Sequence, residues 1–237
     1  MSKVRLYIEP DKVSKIVKME ERSLVHKIKD VLRLGIDDKL YIFDGQGKEY
    51  LYQIKEITKK LIRLEQGKLQ RQEKSPKKEL TLGFPLIGEG RVDFILQKCT
   101  ELGVSGFIPF VCERSARVKS AKKLDRWKRI IIEATRQSER LWIPSLSNIL
   151  EFDQLPKLNY KVKLAGFING EPVEKISGLG KEDIFIAIGP VGDFSPNEYE
   201  RLKESGFRFI KLAPNLLRVE TAAMVSVGLV RYFLDKK

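Results

Sequence analysis

Ile188-Gly189-Pro190-Val191-Gly192-Asp193-Phe194-Ser195-Pro196-Asn197-Glu198, or IGPVGDFSPNE, leaves an apolar strand through Gly-Pro-x-Gly and only then starts a helix. The start is written clearly. Ser195 reads as the N-cap, Pro196 as the first helical residue and Glu198 as the third, so both side chains of a capping box satisfy free N–H groups. A strand followed this closely by a helix is the unit of an α/β fold. The loop itself allows two readings, an ordinary turn or a bed for a small molecule. In open α/β sheets ligands lie beyond the carboxyl ends of strands. Gly189 and Gly192 let backbone approach a ligand, and Pro190 stiffens the loop. The pattern is not GxGxxG, and the helix begins too late to seat a pyrophosphate.

The same alternation extends outward from residue 80. LTLGFPL, FIPFV, VKLAGFI, DIFIAI and RFIKLA read as strands. Val92, Ile95, Leu96, Cys99 and Leu102 form one face of a helix that Gly103 ends. Residues 121–140 predict a basic helix, and Gly206 closes the helix opened by Ser195. Such alternation implies a mostly parallel sheet with helices on both faces. RFIKLA exits into a second loop, LAPNLLRVETAA (212–223), where Leu216 and Leu217 are placed to flank a flat apolar group. Arg218 and Glu220 read either as a surface pair or as a clamp on that loop. The final helix, about 219–234, is apolar on nearly all sides, which predicts burial, in the core or against a second subunit.

Residues 1–67 read as a small β-rich module. Leu24, Val25, Ile28, Val31 and Leu32 have helical spacing before Gly35, LYIF and YLYQI form a hairpin around DGQG, and KLIRLEQ continues as a strand. The polar, basic stretch QGKLQRQEKSPKKE has the composition of a linker, which we place at 68–78, with the second domain at 79–237.

The chain has 237 residues, with 45 basic and 32 acidic side chains and a net charge of +13. The excess is clustered. Residues 112–142 hold ten Lys or Arg against four Asp or Glu, interleaved with Trp127 and Trp142. Such clustering suits a polyanion, nucleic acid first. Two cysteines without a CxxC pair and one histidine argue against a disulfide framework, a Cys or multi-His metal site, and HExxH. We expect no metal, no membrane span, no signal peptide in MSKVRLYIEP and a cytoplasmic location.

Taken in order, GPVGDFSPNE, LAPNLLRVETA, QKCTELGV, ERS, RW…EATRQSER, HKIKDVLR and FDGQGKEY resemble the E family of small-subunit ribosomal RNA methyltransferases (RsmE) over almost the whole chain. The resemblance implies a PUA-like β-barrel followed by a SPOUT domain with a deep C-terminal trefoil knot. It implies S-adenosylmethionine as cofactor, N3 of a uridine in 16S ribosomal RNA as target, in free RNA or the assembling 30S particle, and a homodimer. Cofactor contacts then fall on Phe167, Ile188, Gly189, Pro190, Val191, Gly192, Leu212, Ala213, Asn215, Leu216 and Leu217. RNA contacts fall on Arg5, His26, Arg33, Arg114, Ser115, Arg117, Lys119, Arg136, Gln137 and Arg140. Uracil N3–H must lose a proton, so a general base is needed. Glu101 and Glu220 are carboxylate candidates, and Arg114 and Arg218 are candidates to stabilise the uracil anion.

Four positions depart from the family pattern. Val191 replaces a glutamate, Asp193 a glycine, Ala213 a glycine and Asn215 an arginine. Two charges that the family keeps near its site are therefore absent. A methyltransferase acting on another RNA, such as transfer RNA, and a non-catalytic ribosome-assembly factor are the alternative readings.

Overall fold

The computed structural model describes residues 4–77, 79–116, 121–176, 179 and 182–235, with the side chains of 121 and 122 excepted. The chain divides into two compact units, residues 1–75 with 136–143, and residues 76–135 with 144–237.

The first unit is a five-stranded mixed sheet in the order β1-β3-β4-β5-β2. Its strands are β1 (Arg5–Tyr7), β2 (Ile16–Met19), β3 (Lys39–Phe43), β4 (Lys48–Ile57) and β5 (Ile62–Gln72). β1 runs parallel to β3, and the other pairs are antiparallel. The DGQG hairpin forms as expected, with Gly45 and Gly47 both at positive φ. At Gly47 a Cβ would lie 2.5 Å from the Glu73 carbonyl and 2.8 Å from the Trp142 ring, so only glycine fits. Helix α1 (Arg22–His26) passes into a π turn over Lys27–Val31. Val25 and Ile28 enter the core with Leu40, Ile42, Tyr52, Ile54 and Leu64.

The proposed linker does not begin where composition suggested. β5 runs through Gln72 because its backbone pairs with β4 as far as Lys48↔Gln72, and this pairing is indifferent to polar side chains on an exposed face.

The second unit is a parallel sheet in the order β12-β10-β11-β6-β7-β8, with β9 also on β7. Its strands are β6 (Leu80–Pro85), β7 (Gly106–Val111), β8 (Ser145–Leu146), β9 (Leu150–Glu151), β10 (Val162–Pro172), β11 (Ile184–Ala187) and β12 (Phe207–Lys211). Its helices are α2 (Glu89–Glu101), α3 (Ala121–Gln137), α4 (Pro196–Glu204) and α5 (Val219–Asp235).

Alternation along the strands sorts the helices. Phe84 meets Trp127 of α3 edge-on at 6.1 Å. On the other face Phe110, Phe185, Ala187 and Phe207 pack with Leu202 of α4. Helices therefore cover both faces, in keeping with β6, β7 and β11, which are buried at every position. Leu102 departs from its expected buried face; it lies past the end of α2 and is 40% exposed. α5 buries Val219, Ala223, Ser226, Val227, Val230 and Leu234, whereas Tyr232 is exposed. Among the described residues, most of the rest of that helix is half-buried.

Candidate functional site at the strand exits

Because every pairing in the second unit is parallel, the loops after β7, β10, β11 and β12 leave the same sheet edge. β10 lies between β11 and β12, so their exits flank it. The three meet at Gly166. A Cβ built there would lie 2.9 Å from Leu212 Cδ1 and 3.3 Å from Ile188 Cδ1. The missing side chain lets the first residue of each neighbouring exit lean over the middle strand. The β10–β12 register slips here, with Gly166 and Glu171 both opposite Ile210, so residues 167–170 bulge at the same edge.

The loop after β11 is internally bonded. Asp193 N donates to Pro190 O at 3.0 Å. Gly192 (φ 84°) and Asp193 (φ 64°) are consecutive left-handed residues, which glycine adopts freely and aspartate tolerates. Asp193 Oδ1 accepts from Phe194 N at 2.8 Å. Burial pushes the Asp193 carboxyl above its ordinary value, opposed by that N–H and by the nearby Arg114 guanidinium. Phe194 is buried, stacked on Phe110 at 6.2 Å.

The capping box forms as the sequence predicts. Glu198 N donates to Ser195 Oγ at 3.4 Å, and Ser195 N donates to Glu198 Oε2 at 3.0 Å. The buried Glu198 also accepts from Glu113 N through Oε1 at 2.8 Å, tying the loop after β7 to the start of α4. Arg114, in that loop, donates to the carbonyls of Gly192 and Asp193. Ser115 Oγ is occupied within its own turn, accepting from Cys112 N at 2.9 Å and donating to Cys112 O at 3.0 Å.

The loop after β12 is open. Pro214, Asn215 and Leu216 are exposed, Leu216 to 83%. Arg218 is exposed, and Glu220 begins α5 with Oε2 buried and no hydrogen-bond partner among the described residues.

Several expected site residues lie elsewhere. Glu101 ends α2 at the opposite sheet edge, because a helix following a parallel strand returns to where the next strand begins, and it pairs with Lys98 at 2.9 Å. Phe167 stays at this edge, in the bulge beside Gly166, but its ring packs against Tyr199 (5.1 Å) and Phe209 (5.8 Å) in an aromatic cluster. Arg5 is 2% exposed; its guanidinium is held by the buried Glu49 at 2.6 Å and by the carbonyls of Arg136 (2.7 Å) and Arg140 (3.1 Å). It is a structural cation, since turning it out to RNA would break a fully buried ion pair and two bonds to backbone carbonyls.

The basic helix is partly spent on α2. Lys123 pairs with Glu89 at 3.0 Å, and Arg126 pairs with Asp93. Trp127 is buried against Phe84, and Trp142 packs over Gly47, so neither is a free stacking platform. In the first unit His26 is exposed beside Asp30 at 2.7 Å, and Arg33 is exposed at φ 54°. Arg136 Nη1 reaches Arg5 O at 3.5 Å, and Gln137 is exposed. Arg117 and Lys119 lie outside the described residues. Sequence reasoning missed Gly166, although a glycine inside a strand pattern marks a close approach. It also read Glu198 as a cap alone.

Residues 73–231 match the family model of the RNA methyltransferase domain, and residues 25–66 match that of the RNA methyltransferase PUA domain. Fold and matches together define an RNA methyltransferase with a PUA domain in front of it. Among relatives, the chain is 33% identical over 214 residues to "Ribosomal RNA small subunit methyltransferase E" of Rickettsia conorii, covering 87% of this chain and 86% of that protein. It is 32% identical over 207 residues to the Aquifex aeolicus protein of the same name, covering 86% and 89%. A Neisseria gonorrhoeae ribosomal RNA small subunit methyltransferase E, solved bound to S-adenosyl methionine, superposes with a TM-score of 0.88 at 27% identity, covering 98% of each chain. A Legionella pneumophila putative methyltransferase, in complex with the same cofactor, also gives 0.88, at 26% identity and 98% of each chain. The chain belongs to the ribosomal RNA small subunit methyltransferase E family.

Proposed function

We propose that this chain transfers a methyl group from S-adenosylmethionine to N3 of a uridine in 16S ribosomal RNA. The observation that carries the reading is the meeting of Ile188 and Leu212 over Gly166. It gives a methyl donor an apolar seat between two strand exits, with the backbone of Gly189–Gly192 on one side and that of Ala213–Leu217 on the other. The residues present fit the donor, because the missing side chain at Gly166 lets Ile188 and Leu212 close over the middle strand and bring the two exit loops together. When bound, the donor supplies an activated sulfonium methyl, so no metal is required.

The chain's own residues position and exclude. N3 lies on the pairing edge, so the uridine must be unpaired and turned out of its stack. Orientation supplies most of the rate. Glu220 is the carboxylate at this edge with a buried, unpartnered oxygen, which favours it over Glu101 as proton acceptor. Arg218, two positions earlier and exposed, would stabilise the uracil anion. His26, Arg33 and Gln137 support an RNA contact from the first unit.

The strand order, in which β12 returns beyond β10 after β11 has formed, supports the deep trefoil knot. The half-buried apolar remainder of α5, with Tyr232 exposed, supports a homodimer. No helix of the described residues is long and apolar enough to cross a membrane, which is compatible with a cytoplasmic enzyme of the ribosome.

Incubation with radiolabelled donor and either small-subunit RNA or transfer RNA, followed by mass mapping, tests the reading. We expect label on N3 of one uridine in 16S RNA. Label in transfer RNA alone overturns the substrate. No donor binding at millimolar concentration overturns the enzyme, and favours the assembly-factor reading that Val191, Asp193 and Asn215 raise.

A further inference from the structure

Arg114 sits in a turn whose backbone is fixed on both sides. Ser115 N and Ser115 Oγ both donate to Cys112 O, Ala116 N donates to Leu86 O at 2.9 Å, and Glu113 N donates to Glu198. From this fixed base the side chain crosses to the loop after β11. There one nitrogen, Nη1, serves the carbonyls of both Gly192 and Asp193. The side chain lies over Gly192 in ordinary contact, since a Cβ there would be 3.9 Å from Arg114 Cδ and Nη1.

The two accepting residues are the consecutive left-handed pair. Two left-handed residues in succession bring neighbouring carbonyls to one side, close enough to share one donor, and repulsion between their dipoles favours opening. A guanidinium placed on both carbonyls opposes that opening. It also attracts the Asp193 carboxylate, whose Oδ1 lies 2.6 Å from where a Cβ on Gly189 would be. One side chain thus braces the stretch from Gly189 to Phe194, which forms one wall of the donor seat.

We infer that Arg114 is a positioning residue for the methyl donor: it holds the donor-facing loop in its left-handed turn before the donor arrives. The inference rests on the donor site proposed above. It assigns Arg114 a role distinct from the phosphate or uracil contact expected of it from sequence.

The test uses the full chain without RNA. S-adenosylmethionine is titrated calorimetrically into the wild type, Arg114→Ala and Arg114→Lys, and amide hydrogen exchange is followed at Asp193 and Phe194 in all three without ligand. We expect Arg114→Ala to bind donor about tenfold more weakly, the order of one charge-assisted hydrogen bond. Exchange at both amides should accelerate, and Arg114→Lys, which keeps a donor but not the fork, should fall between. Donor affinity and exchange both at wild-type values overturn the inference. Weaker donor binding with unchanged exchange also overturns it, because the guanidinium would then touch the donor itself. If the wild type binds no donor, the proposed function falls, while exchange at Asp193 and Phe194 still decides whether Arg114 braces the loop.

Discussion

The two strand exits that make the site are built in opposite ways. The loop after β11 is held by a turn hydrogen bond, an Asp193 cap on Phe194, a capping box and Arg114. The loop after β12 follows a strand of the same sheet, yet it leaves Pro214, Asn215 and Leu216 in solvent. The first is organised before a ligand arrives, so little ordering is lost on binding. The second exposes an apolar side chain to solvent, which the proposed function has closing on the donor. In the proposed donor site, one braced wall and one open wall would let a flexible molecule enter and then be held in one orientation.

The largest expected effect sharpens this contrast at the rigid loop. Glu198→Ala removes an acceptor from both Glu113 N and Ser195 N inside the protein. Stability should fall by about 2–3 kcal/mol in urea titrations, with Glu198→Gln in between because the amide offers a single oxygen. A loss no greater than that of an exposed substitution would break the claim that this loop is braced.

A smaller effect is expected at Asp193. Its carboxyl lies above its ordinary value because of burial, so the folded protein holds that proton more tightly than the unfolded chain. Stability therefore falls as pH rises from the ordinary carboxylate value through the raised one, and the cost persists at higher pH. Asp193→Asn keeps an oxygen for Phe194 N and tolerates the left-handed φ. It should match the wild type below that window and melt about 2 °C higher above it, read by calorimetry over a pH series. A gain that is the same at every pH would assign the effect to something other than this carboxyl.

The smallest stability effect belongs to the open loop. Leu216→Ser should leave stability within about 0.5 kcal/mol. It should still weaken donor binding about fivefold, since closing the loop buries part of that side chain. A stability loss matching that of Glu198→Ala would erase the contrast between the loops.

Much of this was legible before any coordinates. Gly-Pro-x-Gly ahead of a Ser-Pro-x-Glu box located the first exit and the helix after it, because caps and turns are written in residues a few positions apart. The parallel sheet followed from apolar strands alternating with helical periods. The second exit was found by the same means. Charge counting served less well. The clustered Lys and Arg of 112–142 suggested one RNA-facing surface, but Lys123 and Arg126 are paired with α2, and Arg114 is turned onto a neighbouring loop. Formal charge does not record which partners the fold brings within reach.

The sequence by itself determined the elements, the order of the motifs and the places where strands end, since each depends on local backbone preference and short-range hydrogen bonds. Tertiary structure decided which of those places belong together. Gly166 joins the exits at Ile188 and Leu212, both more than twenty residues further along the chain, Glu101 is carried to the far edge because α2 returns to where the next parallel strand begins, and Arg5 is buried on Glu49. The physical reason is that pairing across a sheet fixes neighbours by register and strand order, and neither is encoded in any short window of the chain.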